Sequence, residues 1–151
     1  MLDKDILEIE KKWAQQVVTN AKSILLRNRK IATGRLYNSI KYTVSSDGDI
    51  SFEYAPEGKW VTQGRRKGAK YPPPGPILKW IKTKNIKGRD PKTGRFIKDK
   101  ALVFLFQRAI SRDGIKPLPF MEMAVEKSIQ QLTASLEKSI GNYFSKQIGQ
   151  A

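Results

Sequence analysis

Two long stretches, one near each end of the chain, repeat apolar residues at steps of three and four, and any fold must be framed by them. In the first, between Asp3 and about Arg29, the residues Ile6, Ile9, Trp13, Val17, Ala21 and Ile24 share one helical face. Asp3 stands where an N-cap is expected, and Arg27, Arg29 and Lys30 sit where cations favour the C-terminal end of the helix dipole. In the second, from Phe120 onward, Met121, Val125, Ile129, Leu132, Leu136, Ile140 and Tyr143 keep the same spacing, interrupted by Gly141. Two long helices are therefore expected to carry whatever lies between them.

That intervening chain is short-period and heavily punctuated. In "ATGRLYNSI" the helical pattern breaks, and Thr33-Gly34 open a helical corner or a loop that points Leu36 and Ile40 inward. In "IKYTVSSDGDISFEY", Ile40, Tyr42 and Val44 alternate with polar residues, Asp47-Gly48 supplies a turn, and Ile50, Phe52 and Tyr54 alternate again. This predicts a β-hairpin with one buried face, which is marginal alone and must lie on the long helices or join a larger sheet. Pro76 suits the first residue of a short helix, "PILKWIKTK", with Ile77, Trp80 and Ile81 on one face. The run "NIKGRDPKTGRFIKDK" reads as an exposed loop or ribbon-like hairpin, and as the segment expected to be disordered in an isolated subunit. From Lys100, "ALVFLFQRAISRDG" reads as a helix or a buried strand-helix unit ended by Gly114, with helix favoured, and "IKPLPF" as an extended connector, because a residue before proline is pushed out of the helical region. The expected fold is α+β, a single domain over residues 1–151. A small antiparallel or mixed sheet is packed by long N- and C-terminal helices, with a basic loop and short-helix insertion at about 56–100.

Charge is distributed unevenly over this frame. Of the formal net charge of +15, residues 1–58 contribute +1, residues 59–100 contribute +12 and residues 101–151 contribute +2. The ends are ordinary amphipathic scaffold, and the middle is a surface suited to polyanions or acidic protein faces. The chain has no cysteine and no histidine, which removes disulfides, thiolate metal sites and the commonest general base. Its carboxylates are scattered: Glu53 and Glu57 near the hairpin, Asp90 and Asp99 in the basic loop, Glu122 and Glu126 one turn apart on the last helix. The last pair reads as a surface feature, since no glycine-rich or pocket-forming element accompanies it. No catalytic, cofactor-binding or metal-binding residue is assigned, no cofactor is expected, and the chain does not read as an enzyme. The start, "MLDKDILEIEKK", is charged from its third residue, unlike a signal or transit sequence, and no apolar run approaches a membrane span.

The basic middle begins with "EGKWVTQGRRKGAKYPPPGPILKW". Gly64-Arg65-Arg66-Lys67-Gly68 lacks the Gly-Lys-Ser/Thr ending of a phosphate-cradling loop, so nucleotide binding is not expected. Its cations still suit phosphates or a partner's carboxylates, and the proline run Pro72-Pro73-Pro74 predicts a semi-rigid arm of defined reach. Trp60, Tyr71 and Trp80 interleave aromatic rings with these cations, as in single-strand binders, although Trp80 is better read as the apolar face of its helix and Trp60 equally anchors a loop. The candidate contacts to a partner or to DNA are Trp60, Arg65, Arg66, Lys67, Lys70, Tyr71, Lys87, Arg89, Lys92, Arg95 and Lys98.

Several phrases together carry a resemblance. "TGRLYNSI" after a long first helix, a hairpin ending in "YA", then "QGRRKG", "PPPGPILKWI" and "ALVFLFQRAISRDGIKPLPFMEMA" before a final helix are similar to head-tail joining proteins of tailed bacteriophages. These are the tail-completion or neck subunits grouped with minor tail components. The sharpest parts are Thr33-Gly34-x-Leu36 with Ser39-Ile40, and Gly114-Ile115-Lys116-Pro117 followed by Pro119-Phe120-Met121. The resemblance implies an α+β subunit of a homo-oligomeric ring, a hexamer or a dodecamer, set between the portal or adaptor and the tail with DNA passing through its lumen. It implies a virion protein of the neck or tail junction, present in the host cytoplasm during assembly, with no cofactor, no reaction and no membrane. Many relatives run quickly from the tyrosine-alanine strand end to the final helices, whereas this chain inserts a tryptophan-bearing helix and a long basic loop. The other class of reading is a stand-alone nucleic-acid-binding protein using the same central segment without sequence preference.

Overall fold

Helix α1 (Leu2–Arg27) and helix α6 (Phe120–Gly149) are the two long helices that the apolar periodicity predicts. The structure is a computed structural model, and it describes residues 2–31 and 33–150. Between the long helices lie α2 (Arg35–Ser39), strands β1 (Lys41–Val44) and β2 (Ile50–Glu53), then α3 (Glu57–Gln63), α4 (Pro74–Lys84) and α5 (Asp99–Asp113). The architecture is α+β, with one small antiparallel sheet, as expected. Contacts divide the chain into two units: Met1–Ile31, Leu36–Ala55 and Pro119–Ala151 form the first, and Ala32–Arg35 with Pro56–Leu118 the second.

In the first unit α1 and α6 run antiparallel. The indole N–H of Trp13 donates to the Ser128 carbonyl (2.9 Å), the Asn20 amide donates to Ser128 Oγ (2.6 Å), and that hydroxyl donates to the Ala124 carbonyl (2.9 Å). Every polar atom of this buried serine is thereby occupied, which is what makes its burial tolerable. The face of α6 that meets α1 is Phe120, Ala124 and Ser128, each fully buried, against Ala14, Val17 and Ala21, also fully buried. This corrects the sequence-derived stripe: Met121, Val125, Leu132 and Leu136 are half-buried, whereas Ile129, Ile140 and Tyr143 are exposed. Small side chains decide it, because alanine and serine let two helix backbones approach closely enough for Trp13 and Asn20 to bond across. Asp3 is likewise corrected from N-cap to a first-turn residue, since α1 already includes Leu2.

The hairpin pairs Tyr42 with Phe52 and Val44 with Ile50, and Gly48 takes the positive φ that its turn needs. Its apolar face lies on the helices, as a two-stranded sheet requires. Trp13 meets Phe52 edge to face at 6.2 Å between ring centroids, and Tyr54 meets Phe120 at 5.2 Å. Ser39 Oγ donates to the Leu36 carbonyl (2.7 Å) and accepts from the Ala55 N–H (2.7 Å), tying α2 to the end of the hairpin.

The second unit is organised by α4 and α5. Ile77, Ile81, Leu102 and Val103 form its buried core, flanked by Leu78, Ile86, Ile97, Phe106 and Ile110. Helix α4 starts at Pro74, two residues before the expected Pro76, because prolines in a first turn forfeit no intrahelical hydrogen bond. It ends on Asn85 in the left-handed conformation, where the Ile86 N–H closes onto the Ile81 carbonyl (2.9 Å). Helix α5 ends at Gly114 as expected.

Candidate functional site

The segment Gly64–Pro73 is not a projecting arm. It runs antiparallel along α5 as a strap held at three successive levels. Arg65 and Ile115 exchange both backbone hydrogen bonds (2.8 Å each). One turn of α5 further back, the Gly68 N–H donates to the Ser111 carbonyl (2.7 Å) and Ser111 Oγ donates to the Ala69 carbonyl (2.6 Å). Another turn back, the Gln107 amide donates to the Pro72 carbonyl (2.7 Å), and Tyr71 leans on Phe104 with centroids 6.0 Å apart. Prolines serve here by presenting carbonyls in a fixed extended geometry rather than by giving reach.

The first level is a clasp between two glycines. Gly64 (φ 64°, ψ −155°) and Gly114 (φ 72°, ψ −173°) both occupy a region of backbone space closed to other residues. A Cβ on Gly64 would lie 2.3 Å from the Ile115 carbonyl oxygen, and one on Gly114 would lie 2.5 Å from the Arg65 carbonyl oxygen. "QGRRKG" and "SRDGIKP" therefore interlock through their backbones.

The strap sorts its cations. Arg65 is half-buried, and its guanidinium turns inward to donate to the Lys70 carbonyl, so it braces the strap. Arg66, Lys67 and Lys70 are exposed. Lys67 stands near Asp113, whose carboxyl is held below the usual aspartate range chiefly by hydrogen bonds from the Arg112 guanidinium (2.7 and 2.8 Å), with a smaller contribution from the Lys67 charge. Trp60 belongs to α3, a helix that sequence reading took for loop, and is 69% exposed with no aromatic neighbour among the described residues. Trp80 instead packs edge to face on Phe106 at 5.2 Å.

The second group of candidates lies on the ribbon at residues 86–97, which is folded rather than disordered. The Asp90 N–H donates to the Arg95 carbonyl (2.9 Å), the Gly94 N–H returns to the Asp90 carbonyl (2.8 Å), and Asp90 Oδ1 accepts from the Lys92 N–H (2.8 Å). Asp90 is spent on this turn. Ile86 and Ile97 pin the base of the ribbon to the α4–α5 core, and Gly88 sits where a Cβ would lie 3.3 Å from both Ile97 and Leu102. Lys87, Arg89, Lys92 and Arg95 all reach solvent, with Arg89 lying over the Phe96 ring at 4.4 Å. Candidates from the strap and the ribbon thus occupy one unit, which holds 18 Lys/Arg against 4 Asp/Glu, or +14, while the other unit stands at +1.

Lys98 belongs to a third feature that sequence reading missed. An open groove of about 1060 Å³ separates α4 from α5. Leu78, Val103 and Phe104 give it an apolar floor, and Lys82, Lys98 and Lys100 line its rim beside Asp99. The available signal was that α4 and α5 each carry apolar residues on more than one face, as Leu78 and Phe104 show. Among the described residues no cluster of three acidic side chains is placed to hold a metal, and no helix is long and apolar enough to cross a membrane. No family model, curated protein or solved structure matches this chain.

Proposed function

We propose that this chain is a structural ring subunit of the tailed-bacteriophage head-tail joint, connecting the portal or head-completion complex to the tail around a DNA-filled lumen. The observation that carries the reading is that phrases distant in sequence, on which the phage resemblance rests, meet in pairs. "QGRRKG" clasps "SRDGIKP" through Gly64 and Gly114, and Ser39 of "TGRLYNSI" bonds the Ala55 of the "YA" strand end. These contacts support the reading by making the quoted phrases working parts of one fold in this chain. The subunit works by shape and surface charge, with no cofactor and no reaction. Incubating the purified protein with connector-bearing heads and separate tails tests this: negative-stain images should show a ring at the joint and an increase in joined particles. A protein that leaves heads and tails unjoined and never binds the connector would sink the reading.

The +14 unit favours a second reading, non-specific nucleic-acid binding, with exposed Arg66, Lys67, Lys70, Lys92 and Arg95 meeting phosphates and Trp60 stacking on a base. Failure to retain single- or double-stranded DNA at low salt would eliminate it.

A further inference from the structure

We infer that the lysine-rimmed groove between α4 and α5 receives the free end of the α1–α6 helix pair of a second copy of this chain. The inference rests on the ring reading and names the contact that would build the ring. The groove offers an apolar floor of Leu78, Val103 and Phe104, with Phe104 51% exposed, under a rim of three lysines and one aspartate. An occupant must therefore be apolar and acidic at once.

The chain carries such a structure on its other unit. Because Trp13 and Asn20 of α1 bond to Ser128 while Ile9 and Gln16 face Gln131 and Ser135, the start of α1 lies beside the last turns of α6. Burial in α1 begins only at Ala14, so Leu2, Ile6 and Ile9, spaced for one helical face, are left half-covered. On α6, Phe144 and Ile148 are 57% and 76% exposed, and Ile140 and Tyr143 are also uncovered. Residues 2–10 hold four carboxylates (Asp3, Asp5, Glu8, Glu10) against one lysine, so the first turns of α1 stand at −3, and Lys11 and Lys12 follow them. Groove and the first turns of α1 are thus alike in apolar character and opposite in charge. The match is of the helix-in-groove kind, in which apolar anchors supply affinity and rim charges set the register. The two surfaces differ, so the contact is heterologous: each copy offers its helix end to one neighbour and its groove to the other, the kind of contact from which rings are built.

Sedimentation of full-length protein tests the contact. Reversing the rim (Lys82→Glu, Lys98→Glu, Lys100→Glu) should weaken association at least about tenfold, driving the mass toward the 17.2 kDa of one chain with the far-ultraviolet circular dichroism unchanged. Reversing the helix end (Asp5→Lys, Glu8→Lys) should do the same, and both sets in one chain should restore assembly. A second measurement is independent of charge reversal. The chain has no cysteine, so a copy bearing Ala101→Cys in the groove, mixed with one bearing Ile148→Cys, should form disulfides between unlike chains in preference to like ones. Assembly indifferent to both reversals, no rescue by their combination, a wild-type chain that stays monomeric, or pairing of like chains only would each overturn the inference. Rings that survive the reversals leave the head-tail reading intact without this contact. Rings that obey the reversals but are dispensable for joining heads to tails leave the contact intact and remove that reading.

Discussion

At the scale of single residues, two glycines hold the strap in place. Gly64 and Gly114 combine glycine-only dihedral angles with backbone oxygens 2.3 and 2.5 Å from where a Cβ would stand, so substitution meets strain and overlap together. We expect Gly64→Ala and Gly114→Ala each to destabilise the second unit by more than about 3 kcal/mol, whereas Gly68→Ala, at φ 74° in open space, should cost about 1–2 kcal/mol. Urea unfolding followed by fluorescence of Trp60 and Trp80 would rank them, and equal costs at Gly64 and Gly68 would refute the clasp. Asp113 offers a reporter on the same strap. Hydrogen bonds from Arg112, then the Lys67 charge, lower its pKa, so the favourable contact is present above the ordinary aspartate range and is lost as pH falls through the lowered value. Its carboxyl resonance should titrate below an ordinary aspartate, return most of the way in Arg112→Gln, and move up by less in Lys67→Gln. The clasp depends on dihedral angles and on Arg65 and Ile115, distant in sequence, which explains why the sequence marked Gly114 as a helix end but not as half of a clasp.

At the scale of elements, periodicity identified what is local and missed what is chosen between faces. The spans of α1, α5 and α6 and the hairpin were legible because their apolar spacing and turn residues are continuous in the chain. The buried face of α6 was not, since Ile129 and Ile140 look more apolar than Ala124 and Ser128, and only the approach of α1 favours the smaller pair. Helix α3 was hidden by the same logic: Trp60, Gly58 and Lys59 have no amphipathic repeat, and exposed Trp60 gave nothing to count. Helix ends were read half correctly. Arg29 was placed near the C-terminal end of α1 for its charge, yet it also takes a left-handed φ of 54° so that the Lys30 N–H can close onto the Leu25 carbonyl (2.9 Å). Glycine adopts that conformation without the penalty borne by other residues, at some cost in chain entropy. Arg29→Gly is therefore expected to stabilise the first unit by about 0.5–1 kcal/mol, read as a rise in its thermal midpoint. A fall in the midpoint would mean that the Arg29 charge outweighs its backbone strain.

At the scale of the whole molecule, separation of charge from scaffold is the property that most limits what the chain can do. One unit stands at +14 and the other at +1, so polyanions are drawn to the first and hardly to the second. The candidate cations were legible from composition, but their division was not: Arg65 is committed to the Lys70 carbonyl and Asp90 to a turn, which leaves Arg66, Lys67, Lys70 and the ribbon cations facing solvent. Counterion release turns this division into a measurable slope, because each phosphate neutralised changes the dependence of log affinity on log salt by about 0.9. Replacing Lys67, Lys87 and Lys92 with glutamine should lower the slope for duplex DNA by up to about 2.7. Replacing Lys4, Lys11 and Lys138, equally exposed on the near-neutral unit, should leave it unchanged although the net charge falls by the same amount. An equal fall in both variants would mean that affinity follows total charge and that the division has no bearing on binding. A fall confined to the first, with no dependence on DNA sequence, is what a lumen-facing surface requires, since such a surface must hold phosphates without gripping any one stretch of the passing duplex.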